Sequence, residues 1–168
     1  ALGLSVVIIT ILFVNDELSY DRFHINGASL FRVINGDAGS TDSYAGTPAP
    51  LGPYLKSNFA QVSDYTRLRR TNVLVSNGQK MISEKRVFLV DPSFLQLFTF
   101  PLIQGDPNSA LRHPHSVIVT EGTARKYFGQ ENPIGQELVL ENGAAFTKTS
   151  IALDMPSNSR LHFDLLMR

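Results

Sequence analysis

The sequence of 168 residues contains no cysteine and no tryptophan. Without cysteine the chain has no disulfide framework, no thiolate metal site and no cysteine nucleophile. Neither sign of charge is in excess, because 15 basic side chains balance 15 acidic ones and the isoelectric point is near 7.1. A protein that binds nucleic acid needs a basic face, so we expect no nucleic-acid partner.

The chain also lacks the short motifs of common enzymes. Gly129 and Gly135 have the spacing of a phosphate-binding loop, but Gln136 stands where that loop needs lysine. No G-x-S-x-G nucleophile elbow is present. His113-Pro114-His115 is a poor metal pair because proline separates the histidines and no pair of carboxylates lies nearby in the sequence. We therefore predict no catalytic, cofactor-binding or metal-binding residue, no cofactor and no enzymatic activity.

The remaining candidates have simpler structural explanations. His24 and His162 are isolated in the sequence and are expected to make ordinary polar contacts rather than to act as general bases. Three carboxylates that could bind a cation are instead expected to be solvated charges with Arg22 as their local partner; they are Asp16, Glu17 and Asp21.

The residues that are present form two contrasting parts. Overall, 43% of the residues are hydrophobic and 18% are charged, as in a folded globular chain. The first fourteen residues carry no charge, whereas Asn15–His24 contains four charged residues. Fourteen residues extend over only about 21 Å as a helix, too short to cross a bilayer. We interpret Ala1–His24 as the end of a transmembrane helix that continues as a helical stalk.

The apolar run has two alternative interpretations. A signal-peptide core has this length, but no basic segment precedes the run and no small-residue cleavage site follows it. A buried helix of a soluble domain is the other alternative. Apolar residues occupy every face of the run, which is typical of a helix in lipid or inside a large core, and 168 residues make no large core.

Strands and helices alternate irregularly after residue 25, which predicts an α+β fold. Helices are predicted from Pro50 to Phe59, in a short turn at Phe94–Phe98, and over Glu121–Phe128 with Thr120 as N-cap and Gly129 as terminator. The predicted strands are Phe31–Asn35, Val62–Leu68, Thr71–Ser76, Lys80–Val90, Ser116–Val119, Gln136–Glu141, Ala144–Leu153 and Leu161–Met167.

Three further local features are predicted. Asn77-Gly78 between two strand patterns indicates a hairpin. Residues 36–46 are small and polar and are expected to form a loop. The basic cluster of Arg67, Arg69 and Arg70 is expected to be a solvated strand face.

Several stretches, in order and over nearly the whole chain, resemble FtsX-like ABC transporter permeases. More closely, they are similar to the MacB-type periplasmic core domain in its Bacteroidetes version. The stretches are ALGL…FVNDELSYDRFH, LFRV, TPAPLGPYLKSNF, VDPSFLQLFTFPLIQGDP, SVIVTEGTARKYFGQENPIGQEL and DMPSNSRLHFDLL. DELSYDRFH and KYFG-x-ENPIG are specific when they occur together.

The resemblance implies a membrane-helix remnant over residues 1–24 and a two-lobed periplasmic core domain over residues 25–168, which is expected to be incomplete at its C-terminus. One lobe would be of βαβ type and would comprise Phe31–Val75 and the last strand. The other would be a small mixed sheet with short helices over about Arg86–Leu153.

The resemblance also implies a role in transport. The domain would face the periplasm from the bacterial inner membrane. Its expected partners are a separate cytoplasmic ATP-binding subunit, a second permease protomer, and a periplasmic adaptor or outer-membrane duct. The domain itself would do no chemistry and would convert ATP-driven helix motion into periplasmic motion for export or efflux. The alternative function is a membrane-anchored binding or sensor module outside the cytoplasm.

Overall fold

A computed structural model describes residues 2–36, 43–76 and 81–168. The predicted α+β class is confirmed, with four α-helices and a mixed sheet among these residues. The helices are α1 (Leu2–Ser19), α2 (Leu51–Asn58), α3 (Phe94–Leu97) and α4 (Glu121–Phe128). The strands are β1 (Asn35–Gly36), β2 (Ser43–Tyr44), β3 (Leu68–Ser76), β4 (Met81–Val90), β5 (Leu102–Gln104), β6 (Ser116–Thr120), β7 (Glu137–Leu140), β8 (Ala145–Ala152) and β9 (Leu165–Met167).

Seven of the strands form one mixed sheet in the order β5-β8-β6-β9-β4-β3-β7. The pairs β4/β9 and β6/β8 are parallel, and the other described pairs in this sheet are antiparallel. Strand β7 pairs with β8 as well as with β3, so the sheet curls and closes on itself. Strands that the resemblance assigned to both lobes therefore share this one sheet.

Apolar side chains cover both faces of the central strands. In β6, Val117 and Val119 belong to one buried cluster and Ile118 belongs to another. In β9, Leu165 and Leu166 likewise belong to different clusters. Successive side chains of a strand point to opposite faces, so both strands are buried on both sides. Helix α4 contributes to the first cluster, and α3 with the aromatic residues after it contributes to the second.

Helix α4 begins and ends as predicted. The Thr120 hydroxyl accepts a hydrogen bond from the backbone N–H of Thr123, which caps the first turn. Gly129 ends the helix with φ of +61°, in the left-handed region that glycine adopts without steric cost.

Three strand predictions were wrong in extent. Strand β1 is only Asn35–Gly36, and Phe31, predicted to begin a strand, is 88% exposed. A strand needs a neighbour, and in the described part of the chain β1 meets only the two residues of β2. Residues 62–67 are irregular because side chains satisfy their backbone: the N–H groups of Tyr65 and Arg67 donate to the carboxylates of Asp64 and Asp91.

The last strand is also shorter than the predicted Leu161–Met167, since only Leu165–Met167 pairs with β4 and β6. The predicted hairpin turn at Asn77-Gly78 and most of the predicted loop at residues 36–46 lie outside the described residues.

Helix α1 stands apart from the sheet. Its large apolar side chains are exposed on all sides; they include Leu4, Val6, Val7, Ile8, Ile9, Ile11, Leu12, Phe13 and Val14. No helix in the described ranges combines the length and apolarity required to cross a membrane.

Candidate functional site

The site with the most unusual geometry is the junction between α1 and the sheet domain, residues 19–26. The predicted continuous helix to His24 was wrong, because α1 ends at Ser19. Asp21 has φ of +58°, in the left-handed region that ends a right-handed helix. The backbone N–H of Asp21 donates to the carbonyl of Asn158 at 3.0 Å instead of to its own helix. A tertiary contact therefore decides where the helix ends.

One side of the junction is fastened to the loop that precedes β9. The Asn158 side-chain amide donates to the carbonyl of Ser19 at 3.2 Å. The backbone N–H of Arg160 donates to Oδ1 of Asp21 at 3.0 Å. Together with the hydrogen bond from the Asp21 N–H, these contacts bind both the main chain and the Asp21 side chain at the end of α1 to this loop.

The other side of the junction is bound to the end of α3 and to Thr99, which follows it. The backbone N–H of Thr99 donates to Nδ1 of His24 at 3.1 Å, and the N–H of Ile25 donates to the Thr99 hydroxyl at 2.9 Å. The side-chain amide of Asn26 donates to the carbonyls of Gln96 and Leu97. The loop before β9 and the end of α3 with Thr99 thus hold the segment of residues 19–26, so the helix cannot pivot without breaking hydrogen bonds.

His24 is the buried centre of this junction. Its ring lies 5.2 Å from the ring centroids of both Phe98 and Phe100, in edge-on geometry, and 4.2 Å from that of Phe23. Phe94 and Phe163 continue the aromatic cluster into the core. Burial lowers the pKa of His24 below its ordinary value, against the opposing influence of Asp21. The expected polar contact of this histidine is confirmed.

The outer surface of the junction is charged. Glu17 pairs with the guanidinium of Arg160 at 3.4 Å, and that guanidinium also lies over the ring of Tyr20 at 5.8 Å. The predicted local partner, Arg22, was therefore wrong for Glu17. An arginine 143 positions away in sequence takes that place, because the turn at Asp21 brings the loop before β9 against the helix.

A second candidate is a polar cleft of about 320 Å³ beside α4. Among its lining residues is the buried Glu84, whose carboxylate accepts hydrogen bonds from Lys126 at 2.5 Å and from the Tyr127 hydroxyl at 2.8 Å. Burial and this carboxylate raise the pKa of Tyr127. Elsewhere in the cleft Arg86 forms a two-point ion pair with Asp164. These groups neutralise one another and form a structural network.

The other sequence candidates lie apart from the junction. His162 lines the polar cleft. His115 packs against Phe146 at 5.2 Å, and the carbonyl of His113 accepts a hydrogen bond from Ser116. Within residues 2–36, 43–76 and 81–168, no three His, Asp or Glu side chains are grouped so that they could hold a metal ion.

The basic cluster of Arg67, Arg69 and Arg70 is exposed on β3 and on the residue before it, as predicted. One of its members also has an acidic partner. Arg67 forms a two-point ion pair with Asp91, at 2.6 and 2.9 Å.

Sequence reasoning missed the partners of the junction. Thr99, Asn158 and Arg160 lie in loops whose composition predicts only turns. The one signal in the sequence was that the stretches DELSYDRFH and DMPSNSRLHFDLL both carry the family resemblance. No local pattern shows that these two stretches are in contact.

The chain was compared with known proteins. Residues 1–164 match the family described as MacB-like periplasmic core domain. No significant match was found among curated proteins. A domain of a protein named as a permease, from Porphyromonas gingivalis, is similar at 27% identity and a TM-score of 0.55, over 70% of this chain and 50% of that one.

Two further solved structures share the fold. The periplasmic region of MacB from Actinobacillus actinomycetemcomitans is 14% identical with a TM-score of 0.53, over 69% of this chain and 52% of that one. The extracellular domain of the noncanonic ABC-type transporter YknZ from Gram-positive bacteria is 12% identical with a TM-score of 0.53, over 68% and 58%. The chain thus covers about half of the length of the solved structures that it matches. Since the family match extends over nearly every residue, this chain belongs to the MacB-like periplasmic core domain family.

Proposed function

We propose that this chain transmits motion from a membrane helix to a periplasmic domain in an ABC transporter permease. The observation that supports the proposal is the junction. Three hydrogen bonds with the loop before β9, and four with the end of α3 and Thr99, connect Ser19–Asn26 to the sheet domain. A tilt of α1 would therefore turn the domain with it rather than bend a linker.

The proposed place of α1 is the bilayer of the bacterial inner membrane. Its apolar side chains are exposed around the whole helix, and a helix of this kind is expected in lipid. Asp16 and Glu17 then mark the exit toward the periplasm. The corresponding division of the chain, with residues 1–24 as the end of a membrane helix and residues 25–168 as the periplasmic domain, is part of the proposal.

The proposed energy source is ATP hydrolysis on a separate cytoplasmic subunit, and the proposed assembly contains a second permease protomer. Family membership supports this assembly. The output would be export or efflux, with a periplasmic adaptor or outer-membrane duct as a further partner. The isolation of the intact protein from membranes tests the assembly, because a co-purifying subunit with vanadate-sensitive ATPase activity is expected.

The decisive experiment inserts Gly-Gly after Glu17 in the intact protein. Glu131→Cys, introduced as the single cysteine of the intact protein, places a spin label on an exposed bend of the domain. In lipid nanodiscs we expect the label-to-label distance between protomers to change when ATP and vanadate are added. The insertion should abolish this change and leave ATPase activity intact, because flexible glycines uncouple the helix from the domain.

A matched insertion of Gly-Gly after Asn142, in the exposed turn between β7 and β8, controls for disturbance of the fold and should preserve the distance change. An unchanged response in the Glu17 insertion would contradict the coupling role.

A further inference from the structure

His24 occupies an unusual position for a titratable group. Its side chain is only 4% exposed, and it lies where the helix, the loop after α3 and the aromatic cluster meet. The backbone N–H of Thr99 donates to its Nδ1 at 3.1 Å. A ring nitrogen accepts a hydrogen bond only while it carries no proton. The junction as built therefore requires a neutral imidazole with its proton on Nε2.

Protonation would change this contact from attractive to repulsive. A proton on Nδ1 would face the N–H of Thr99, so that hydrogen bond would be lost. The neighbouring bond from Ile25 to the Thr99 hydroxyl depends on the same residue. The protonated ring would also place a charge among Phe23, Phe98 and Phe100, where burial disfavours it.

One charged group, the carboxylate of Asp21, lies close to the His24 ring among the described residues. Nε2 lies 4.0 Å from Oδ1 of Asp21, which is the one carboxylate in reach of the ring among the described residues. That same oxygen accepts the backbone N–H of Arg160, whose guanidinium points to Glu17. The residues that pack on the ring from the other element, Phe98, Thr99 and Phe100, are uncharged. Asp21 thus reduces the free-energy cost of protonating His24, but its carboxylate also accepts the hydrogen bond from Arg160.

We propose that His24 is a pH-sensitive latch, which fastens α1 to the domain while the imidazole is neutral and releases it when the imidazole is protonated. The inference rests on the proposed function, because release matters to transport only if the junction transmits motion. It adds a means by which acidification outside the cytoplasm would disengage the domain from the membrane helix.

The direction of the effect follows from linkage. Burial lowers the pKa of His24 in the fastened state below its ordinary value of 6.5. The released state then binds more protons than the fastened state, so fastening is favoured at higher pH. The latch is complete above pH 6.5 and weakens as the pH falls from 6.5 through the lowered pKa. A difference of one pKa unit corresponds to a tenfold change in the equilibrium.

Hydrogen–deuterium exchange of the intact protein in lipid nanodiscs tests the latch. Peptides that cover residues 19–26 and 96–100 are followed at pH 7.5 and pH 5.0, corrected for the intrinsic exchange rate. We expect their protection to fall at the lower pH, by a factor set by the difference between the pKa values of His24 in the released and fastened states. Protection of strand β6, in the doubly buried core, should not change and serves as the internal reference.

Three variants make the test specific. His24→Gln keeps an acceptor that does not titrate, so its junction protection should be independent of pH. His162→Gln, in the polar cleft, should behave like the natural protein. Asp21→Asn removes the carboxylate that favours the protonated ring, so release should move to lower pH. This variant keeps the test valid even if glutamine at position 24 packs poorly.

Junction protection that is equal at the two pH values in the natural protein would overturn the latch, as would an unchanged pH dependence in His24→Gln. Failure of the coupling proposal has a different signature, because it is measured by the ATP-dependent distance change at pH 7.5, where the latch is closed.

Discussion

Helix α1 and strand β6 are built from the same types of residue and have opposite surroundings. Ile8 and Ile9 on the helix are about half exposed or more, whereas Ile118 on the strand is completely buried. The strand has neighbours in the sheet on both edges and side-chain clusters on both faces. The helix is joined to the domain through its last turn, by the ion pair of Glu17 with Arg160 and the hydrogen bond from Asn158 to Ser19. Apolar composition therefore shows that a segment needs an apolar environment. Only the residues around it in the structure show whether the protein core provides that environment.

The largest effect should come from a direct test of this contrast. Phe94 is fully buried and stacks on Phe98 and Phe100, so Phe94→Ala should lower the free energy of unfolding by about 3–5 kcal/mol. Ile8→Ala on α1 should change it by less than about 0.5 kcal/mol. Urea denaturation in mild detergent, followed by circular dichroism, measures both. Similar losses for the two variants would show that α1 packs on the domain after all.

The second prediction concerns a charge inside the buried region. Lys148 on β8 is 1% exposed, with its Nζ 3.4 Å from the ring centroid of Phe128 and a long hydrogen bond to the carbonyl of Glu137. Burial lowers the pKa of Lys148 from 10.5 to about 8. The folded state then binds fewer protons than the unfolded state between these values, so stability should rise with pH across that window, by up to about 3 kcal/mol.

Lys148→Met should therefore stabilise the domain at pH 7 and remove this pH dependence, because an unbranched apolar side chain fits the same space without the charge. Urea denaturation at pH 7 and pH 10 measures the difference. Lys85→Met, at an exposed position of β4, is the control and should leave the pH dependence as it was. A loss of stability in Lys148→Met at pH 7 would mean that the ring and carbonyl contacts outweigh the cost of burial.

The third and smallest effect lies where the two regions meet. Asp21→Ala removes the acceptor for Arg160 and puts alanine in the left-handed region, which the short polar side chain of aspartate tolerates better; together these changes should cost about 1–2 kcal/mol at the junction. Exchange protection of residues 19–26 at pH 7.5 should fall roughly tenfold. Asp21→Asn tolerates that conformation and still accepts the hydrogen bond, so it should retain most of the protection.

The exchange measurement can also fail in an informative way. Equal protection in Asp21→Ala and the natural protein would show that the Asp21 side chain is not needed and that the hydrogen bonds to Asn158 and to residues 96–99 hold the helix.

Local patterns were sufficient for much of the fold. Helix α4 was predicted with both ends, because its cap hydroxyl and its terminating glycine act within the sequence next to it. Strands β3, β4, β6, β7 and β8 were predicted within a few residues, since their apolar positions mark buried faces. The family was also evident from the sequence, through motifs spread in order along the chain.

Local patterns failed where distant residues decide the conformation. The composition of Asn15–His24 favours a continued helix, but Asn158 and Arg160 take the hydrogen bonds that end it at Ser19. Residues 62–67 read as a strand, but the carboxylates of Asp64 and Asp91 satisfy their backbone. In both cases a hydrogen bond to a side chain or to a distant loop takes the place of the backbone hydrogen bond that a regular helix or strand would make.

The sequence by itself determined the class of the fold, the family and the contrast between an apolar helix and a mixed domain, because these depend on composition and on near neighbours. Only the tertiary structure decided how the two parts are joined. The residues that fasten α1, at positions 99, 158 and 160, lie some 75 to 140 positions from their partners. No local pattern encodes such a pairing; it exists because the curled sheet brings both loops to the same end of the helix.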